Sequence, residues 1–404
     1  MIARVLKQFL ATEASGGIAL LAATTVALIL ANSPLSEAFH DLWATDVEFH
    51  LGPVAFPHDI HHWINDGLMA IFFFVVALEI KRELVTGELA TLRRASLPAI
   101  AAIGGMVVPA LIYLALNDGA ERVGWGIPMA TDIAFAVGII SLFGERIPTS
   151  AKVFLLSLAI VDDIGAIAVI AIFYSGGVSA QWMGITLLML GGVGMLRIVG
   201  VRTAPMYVVF GIATWIALFQ SGVHATLAGV ALGMLTPARS REEGKEPIGY
   251  QLEHALHPWT SYVVVPLFAL ANAGIVLSTD SVSLALGSSV TLGIVLGLVA
   301  GKLAGISFAT WLAVKLRVAE LPDSSTWGHI IGLAAVAGVG FTVSLFITEL
   351  AFTDVELTDA AKMGVFAGSL IAGGLGAAIL WRTCPTPDAT RDDEQITGRT
   401  LTAE

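Results

Sequence analysis

Long apolar runs alternate with short polar segments over nearly the whole chain. A helix needs about 20 consecutive apolar residues to cross the hydrocarbon core of a bilayer. The first run is followed by eleven more and has no clear small-residue cleavage site, so it does not read as a cleaved signal peptide. The pattern predicts an all-α polytopic membrane protein with twelve spans, near residues 12–31, 60–80, 95–116, 124–143, 152–174, 180–198, 205–220, 223–236, 255–276, 287–313, 327–349 and 360–381.

The composition agrees with a chain that lies mostly in lipid. Hydrophobic residues make up 56% of it and charged residues only 13%, whereas an ordinary soluble domain has about 25% charged residues. Cys384 is the only cysteine, which leaves no disulfide framework and no cysteine-based metal site. We expect one twelve-span domain over residues 1–382 and a disordered tail over 383–404, where the sequence is polar and contains proline.

The positive charges lie almost entirely on one side of the predicted bundle. Of the 21 Lys and Arg residues, all except Arg122, Lys302 and Lys362 precede span 1 or follow an even-numbered span. Lys and Arg collect in cytoplasmic loops. The alternation therefore predicts that both termini, and with them the tail, are cytoplasmic.

The first outer loop, roughly residues 33–58, contains the stretch VEFHLGPVAF. Apolar and polar residues alternate in part of it, as they do in strands. The stretch predicts either a small β-hairpin or an irregular loop.

Two adjacent acids, Asp162 and Asp163, lie near the centre of span 5. Charged side chains inside a membrane are costly and therefore indicate function. Neighbouring residues point about 100° apart on a helix, so one carboxylate can line a cavity while the other reaches a neighbouring helix. Small hard cations prefer such oxygen ligands. A structural polar contact between helices is the alternative.

Span 4 has a polar interruption in WGIPMATDIAFAVG, where Pro128 is followed by Thr131 and Asp132. Such an interruption predicts a discontinuous helix whose free backbone groups face protein or a cavity rather than lipid. A Pro-kinked but continuous helix is the alternative. Gly338, Gly340 and Thr342 weaken the middle of span 11 in a similar way, although glycines in membrane helices more often mark close packing.

Spans 4 and 11 occupy matching positions, each in the middle of a three-span unit. The units are spans 3–5 and 10–12, and their spacing makes them enter the membrane from opposite sides, which predicts inverted three-helix repeats. Broken helices in such repeats point to a binding site near the midplane. Their ends carry partial charges of about half a unit, which Asp132 and Lys302 would balance.

Lys302 is the only cation deep within a predicted span. It would form an ion pair with Asp162 or Asp163, or compensate the helix ends; snorkelling to an interface is the alternative.

The residues around Lys302, GLVAGKL, do not match a phosphate-binding loop, so we expect no nucleotide as partner. We also expect no nucleic acid as partner. Burial disfavours a charged carboxylate and a nearby cation favours it, so a proton and a metal ion would compete for one site. Such competition is the basis of ion exchange driven by a gradient.

Two other functions remain open at this point. An intramembrane aspartyl protease also uses two acids, but the Tyr-Asp and Gly-x-Gly-Asp settings that it requires are absent. A sodium-coupled solute symporter would lack a lysine paired to its site, and Lys302 argues against it.

Six segments resemble NhaA-type sodium/proton antiporters, and the likeness extends over the whole chain. The segments are ATDIAFAVG (130–138), LAIVDDIGAI (158–167), SGVHATLAG (221–229), PLFALANAG (266–274), GKLAGI (301–306) and GVGFTVSLFI (338–347). The resemblance implies an electrogenic exchanger of Na⁺ or Li⁺ for H⁺, activated at alkaline pH and serving sodium extrusion and pH homeostasis. It also implies a homodimer in the bacterial inner membrane, with no cofactor and no enzymatic activity.

The resemblance also assigns roles to individual residues. Asp162 and Asp163 would bind Na⁺ or Li⁺ and the proton, with Lys302 as the salt-bridge partner of Asp162. Thr131 and Asp132 would lie where the broken spans cross. Gly338 and Gly340 would support that crossing.

Charged residues at the predicted cytoplasmic ends of spans 2 and 9 are candidates for a pH sensor. By resemblance the sensor would comprise Glu79, Glu83, Glu253 and His254, with His257 one turn further along the same helix. The alternative is that these groups are solvated and only set the topology. For His224 we expect a structural, hydrogen-bonded role.

Overall fold

A computed structural model describes residues 2–51, 54–200, 204–239 and 246–384, and the part of the predicted tail from residue 385 onward lies outside the described residues. The described chain is helical apart from one pair of strands. The helices are α1 (Ile2–Ala31), α2 (Ser36–Trp43), α3 (Ile60–Trp63), α4 (Met69–Thr86), α5 (Leu92–Leu116), α6 (Ile133–Ser141), α7 (Thr149–Phe173), α8 (Ala180–Val199), α9 (Ala204–Gln220), α10 (Thr226–Leu235), α11 (Ile248–Trp259), α12 (Val265–Asn272), α13 (Thr279–Gly287), α14 (Ser289–Leu296), α15 (Lys302–Lys315), α16 (Trp327–Val336), α17 (Phe341–Ala351) and α18 (Val355–Thr383). Short 3₁₀ segments add Glu88–Ala90, Gly119–Met129 and Gly144–Arg146.

The two strands form a hairpin in the loop that the sequence predicts to be the first outer one. Strand β1 (Asp46–Leu51) pairs antiparallel with β2 (Val54–Asp59), and Asp46 lies opposite Asp59. The hairpin interpretation of this loop is therefore confirmed, and the irregular loop is wrong.

In the described part of the chain, seven helical segments are long and apolar enough to cross a membrane, or nine if each bent helix pair counts as one span. The regions predicted as spans 7 and 8 contain shorter helices, α9 with 17 residues and α10 with 10, against the about 20 that a straight crossing needs. The chain is thus a polytopic membrane protein, and the count of twelve spans stays a prediction.

Among the residues that the structure describes, three π-helical segments interrupt long helices without ending them. They are Ile64–Leu68 between α3 and α4, Thr260–Val264 between α11 and α12, and Gly297–Gly301 between α14 and α15. Single π-helical turns of this kind are often found at functional sites. In this protein, the last one ends directly before Lys302.

Glycines bring α5 and α15 into direct backbone contact. A Cβ atom on Gly104 would lie 2.3 Å from the carbonyl oxygen of Gly305, and one on Gly305 would lie 2.2 Å from that of Gly104. Small residues permit such close approach of membrane helices. Because Lys302 is one turn from Gly305, this contact holds the lysine in the interior of the bundle.

Two helix pairs bend by 43° at short breaks. One joins the 3₁₀ segment Gly119–Met129 to α6, and the other joins α16 to α17. The breaks lie in spans 4 and 11, where discontinuous helices are predicted. The backbone at Ala130 and Asp132 is extended, so the alternative of a continuous, Pro-kinked helix in span 4 is wrong.

Candidate functional site

The two breaks lie side by side and hydrogen-bond to each other. The backbone N–H of Asp132 donates to the carbonyl of Val339 at 2.7 Å, and the Thr131 hydroxyl donates to the carbonyl of Ala337 at 2.8 Å. Lipid offers no partner for a free backbone group, so each unpaired group at this depth costs several kcal/mol. Each break thus supplies partners that the other one needs.

Asp132 joins the N-termini of two helices. Its Oδ1 accepts from the backbone N–H of Phe135 at 3.1 Å and so caps α6. Its Oδ2 accepts from the backbone N–H and the hydroxyl of Thr342, at 3.0 and 2.6 Å, at the start of α17. Helix N-termini carry partial positive charge, and this buried carboxylate balances two of them at once.

Gly338 and Gly340 occupy positions in the break of span 11 with no room for a side chain. A Cβ atom on Gly338 would lie 2.3 Å from the carbonyl oxygen of Leu298, and one on Gly340 would lie 2.8 Å from that of Ala130. The Cβ atom on Gly340 would also meet the Ser344 hydroxyl, but the two carbonyl oxygens belong to the backbone and cannot move aside independently. The crossing of the two breaks therefore depends on glycine at these positions.

Lys302 forms a buried ion pair beside the breaks. Its ammonium group lies 2.8 Å from Asp162 Oδ2 and donates to the Thr131 hydroxyl oxygen at 3.0 Å. The lysine side chain is 0% exposed and that of Asp162 1%, so snorkelling to an interface is wrong. The Thr131 hydroxyl also links the ammonium group to the Ala337 carbonyl at the end of α16. The geometry is therefore compatible with both roles considered for Lys302, which are pairing with an aspartate and compensating a helix end.

Asp163 follows in the next position of α7 and is also buried, with 6% of its surface exposed. The ion pair of Lys302 is with Asp162, and within the described chain Asp162 Oδ1 accepts no hydrogen bond. The adjacent carboxyl groups of Asp162 and Asp163, with Oδ1 of Asp162 free of hydrogen bonds in the described chain, supply oxygen atoms in a buried region. Oxygen is the ligand type that a hard cation prefers.

A second cluster of charged groups lies at the end that the cationic loops assign to the cytoplasm. Arg82 pairs with the buried Glu253 and lies 3.3 Å from Glu83. His257 Nε2 lies 2.7 Å from Glu13 and 3.7 Å from the buried Glu79. Three of the four residues that the resemblance assigns to a pH sensor thus belong to one cluster, the fourth being His254.

The structure places His254 apart from that cluster. Its side chain is exposed and stacks on Tyr250 with ring centroids 4.7 Å apart. Glu13, in contrast, belongs to the cluster but was not selected from the sequence, although an acid at the start of an apolar run was a usable signal. His224 Nε2 donates a hydrogen bond to the carbonyl oxygen of Tyr174 at 2.6 Å, a contact that suits a structural histidine.

Comparison with known proteins gives matches along the full chain. The family model for Na⁺/H⁺ antiporter 1 matches residues 7–380. The Na⁺/H⁺ antiporter NhaA 2 of Erythrobacter litoralis is 48% identical over 400 residues, which are 98% of each chain. The Na⁺/H⁺ antiporter NhaA of Rhodopirellula baltica is 44% identical over 424 aligned residues, covering 95% of each chain. That of an Escherichia coli strain is 46% identical over 376 residues, covering 92% of this chain and 96% of the other.

Proposed function

We propose, from the premise that the chain belongs to the Na⁺/H⁺ antiporter 1 family, that it exchanges Na⁺ or Li⁺ for H⁺ electrogenically across the bacterial inner membrane. Membership of the family supports sodium/proton exchange itself. The choice of ion, the net movement of charge and activation by alkaline pH go beyond it.

One observation carries the proposal: Asp163 is buried next to the ion pair of Asp162 and Lys302, beside two broken helices. Asp163 would provide the main oxygen ligand for Na⁺ or Li⁺, and Asp162 the second. When the ion arrives, its charge competes with that of the Lys302 ammonium group for Asp162. When protons arrive, they neutralise the same carboxylates and the ion leaves.

This competition links the two fluxes without a resident cofactor. The site holds either the metal ion or protons, so release of one on one side of the membrane requires binding of the other. A membrane potential contributes about 2.3 kcal/mol per charge for each 100 mV. It drives sodium extrusion only if more protons enter than sodium ions leave, and for that reason we propose electrogenic exchange.

Several further features belong to the same proposal. The twelve spans would include inverted repeats over spans 3–5 and 10–12, and the breaks of spans 4 and 11 would form the pivot of the transport cycle. Both termini would be cytoplasmic, the protein would be a homodimer, and no enzymatic step would occur. The cluster of Glu79, Glu83 and Glu253, together with His254, would sense cytoplasmic pH.

The test measures the loss of a preformed pH gradient in everted vesicles when Na⁺ or Li⁺ is added, from about pH 6.5 to 8.5, a range in which histidine and perturbed carboxyl groups titrate. We expect either ion to collapse the gradient, more strongly at the alkaline end. Asp163→Asn should abolish this response, and Asp118→Asn, at an exposed position, should keep it. If neither ion moves protons in the wild type at any pH, the exchange proposal fails.

A further inference from the structure

The end of the bundle opposite the cationic loops contains a polar cluster that the proposed site does not use. We call it the outer cluster, and it consists of His61, Asn65, Asn272, Glu349 and Lys362. Glu349 is at its centre: Oε1 lies 2.6 Å from Lys362 Nζ and Oε2 lies 3.9 Å from His61 Nε2. The three charged or titratable side chains are 13–25% exposed, so protons reach them while bulk water screens them only in part.

Hydrogen bonds fix the orientation of His61. The Asn272 side chain donates to Asn65 Oδ1 at 2.8 Å and to the Phe268 carbonyl at 2.9 Å. Its Oδ1 therefore points toward His61 Nε2, 2.9 Å away, and the imidazole donates from that nitrogen. Protonation places the second proton on Nδ1, from which the Asn65 amide nitrogen lies 3.5 Å away. It adds a positive charge near Glu349 and keeps the bond from Nε2 to Asn272.

The outer cluster lies directly beyond a layer of three aromatic rings. Helix α17 orders the levels: Thr342 contacts the site, Phe346 comes one turn later, and Glu349 follows almost one turn after that. Phe346 packs against Phe73 at 5.3 Å and against Phe268 at 6.3 Å between ring centroids. If the site opens toward this end along α17, Phe346 separates from these rings, which come from α4 and α12.

The same separation pulls Glu349 away from His61. Glu349 and Lys362 belong to α17 and α18, whereas His61 and Asn272 belong to the helical runs that carry Phe73 and Phe268. We propose that the outer cluster is a latch that holds the outer access to the ion site closed, and that acid on the outer side tightens it by protonating His61. The inference rests on the proposed function for its biological meaning, because only a transporter needs such access.

The charges around Glu349 determine the sign of the pH effect. From α18 it faces Lys362 and also Asp359, which in turn interacts with His40 of α2; from α3 it faces His61. With a neutral His61, one ammonium group faces two carboxylates. With a protonated His61, two cations face two carboxylates, so the contact across the gap strengthens as the outer pH falls.

The test uses a cysteine placed behind the latch. Thr348 lies on α17 between Phe346 and Glu349 and is 0% exposed, so a thiol there reacts only when the outer access opens. In a Cys384→Ser background, which removes the only native cysteine, Thr348→Cys is labelled in right-side-out vesicles by a membrane-impermeant thiol reagent added outside. Thr353→Cys, in the exposed loop after α17, provides the reference rate, because the ratio of the two rates cancels the effect of pH on thiol reactivity.

We call the labelling rate of Thr348→Cys divided by that of Thr353→Cys the labelling ratio. When the outer cluster carries no substitution, we expect this ratio to fall about fivefold between pH 8 and pH 5.5, which corresponds to about 1 kcal/mol. His61→Gln and Glu349→Gln should raise the ratio and remove its pH dependence. The matched controls are His62→Gln, at the adjacent position, and Glu356→Gln, an exposed acid at the same end. Both should behave like the unchanged latch.

A ratio that does not depend on pH in the unchanged latch, or that keeps its pH dependence in His61→Gln and Glu349→Gln, overturns the inference. The readout is independent of transport. If Na⁺ fails to collapse a pH gradient in everted vesicles while the labelling ratios behave as expected, the proposed function fails and the latch stands. If Na⁺ collapses the gradient but the labelling ratio does not respond to pH or to the variants, the latch fails and the proposed function stands.

Discussion

Lys302 Nζ lies 2.8 Å from Asp162 Oδ2, and neither side chain has more than 1% of its surface exposed. The desolvation of two buried charges costs several kcal/mol per ion, and their attraction offsets this cost only while both are present. The ion pair therefore adds little net stability, but the loss of one of its two members is strongly destabilising. An arriving metal ion that takes over Asp162 would find Lys302 already held by Thr131.

Removal of one member of this pair should destabilise the protein more than removal of both. Lys302→Met leaves a buried carboxylate without its cation, which costs about 3–5 kcal/mol when the carboxylate stays charged. The double variant Lys302→Met with Asp162→Asn removes both charges and should recover part of the loss. Thermal unfolding of the purified protein in detergent measures the order of stabilities.

The control for that comparison is Lys315→Met, which removes a lysine at the other end of α15, where it contacts Trp311 rather than an acid. It should change the melting temperature little. A double variant that is less stable than Lys302→Met alone would contradict the argument.

Asp132 should contribute through its two bonds to Thr342 as much as through its charge. Asp132→Asn keeps a carbonyl oxygen for one helix end but presents an amide group, which cannot accept, to the other. Thr342→Val removes the hydroxyl donor and leaves the backbone donor, so its effect should be smaller. We expect exchange to fall about tenfold or more in Asp132→Asn, the change that about 1.4 kcal/mol produces, as measured by gradient collapse in everted vesicles at matched protein levels.

Equal losses in both variants would show that the hydroxyl of Thr342 carries the whole effect. Asp118→Asn replaces an exposed acid, outside both the site and the outer cluster, by the same amide and should leave the rate of exchange nearly unchanged.

The sequence predicts the polar residues of the site because a charge within an apolar run stands out locally. Asp132, Asp162, Asp163 and Lys302 were all visible in that way. Their pairings were less visible: only the resemblance chose Asp162 for Lys302, 140 positions away, and the bonds between Asp132 and Thr342, 210 positions apart, were not predicted. Such pairings depend on how helices rotate and pack, which hydrophobic pattern alone leaves open.

The same limit explains the result at the second charged cluster, which contains Glu13, Glu79, Glu253 and His257. His254 and His257 are three positions apart on one helix, and their spacing does not say which one faces Glu79. Helix rotation turns His257 inward, where it meets Glu13 at 2.7 Å, and leaves His254 stacked on Tyr250 at the surface. The apolar pattern also leaves the number of spans open, because it does not show where a helix ends inside an apolar run. In the structure, α9 and α10 are shorter than a straight crossing needs.

Gly338 should be among the least tolerant positions in the protein. Gly338→Ala places a methyl group 2.3 Å from the Leu298 carbonyl oxygen, so the break of span 11 must move away from the π-helical segment that precedes Lys302. We expect loss of exchange together with a lower melting temperature. Gly138→Ala, in α6, meets nothing within 4 Å and should retain both; a Gly338→Ala variant with full activity would show that the crossing is not held as tightly as its contacts indicate.

Glu253 should set the pH dependence of exchange more strongly than His254. Its buried carboxylate is paired with Arg82, and Glu253→Gln fixes the uncharged form that acid would otherwise produce. If loss of that proton contributes to activation, the variant should reach half of its maximal exchange at a higher pH than the wild type. Exchange measured in everted vesicles over about pH 6.5 to 8.5, where histidine also titrates, gives this midpoint directly.

His254→Gln removes an exposed imidazole that lies outside the cluster and should shift the midpoint less. The opposite order would mean that the surface histidine acts through a contact formed only during the transport cycle, and it would favour the sensor set that the resemblance implies over the one that the contacts favour.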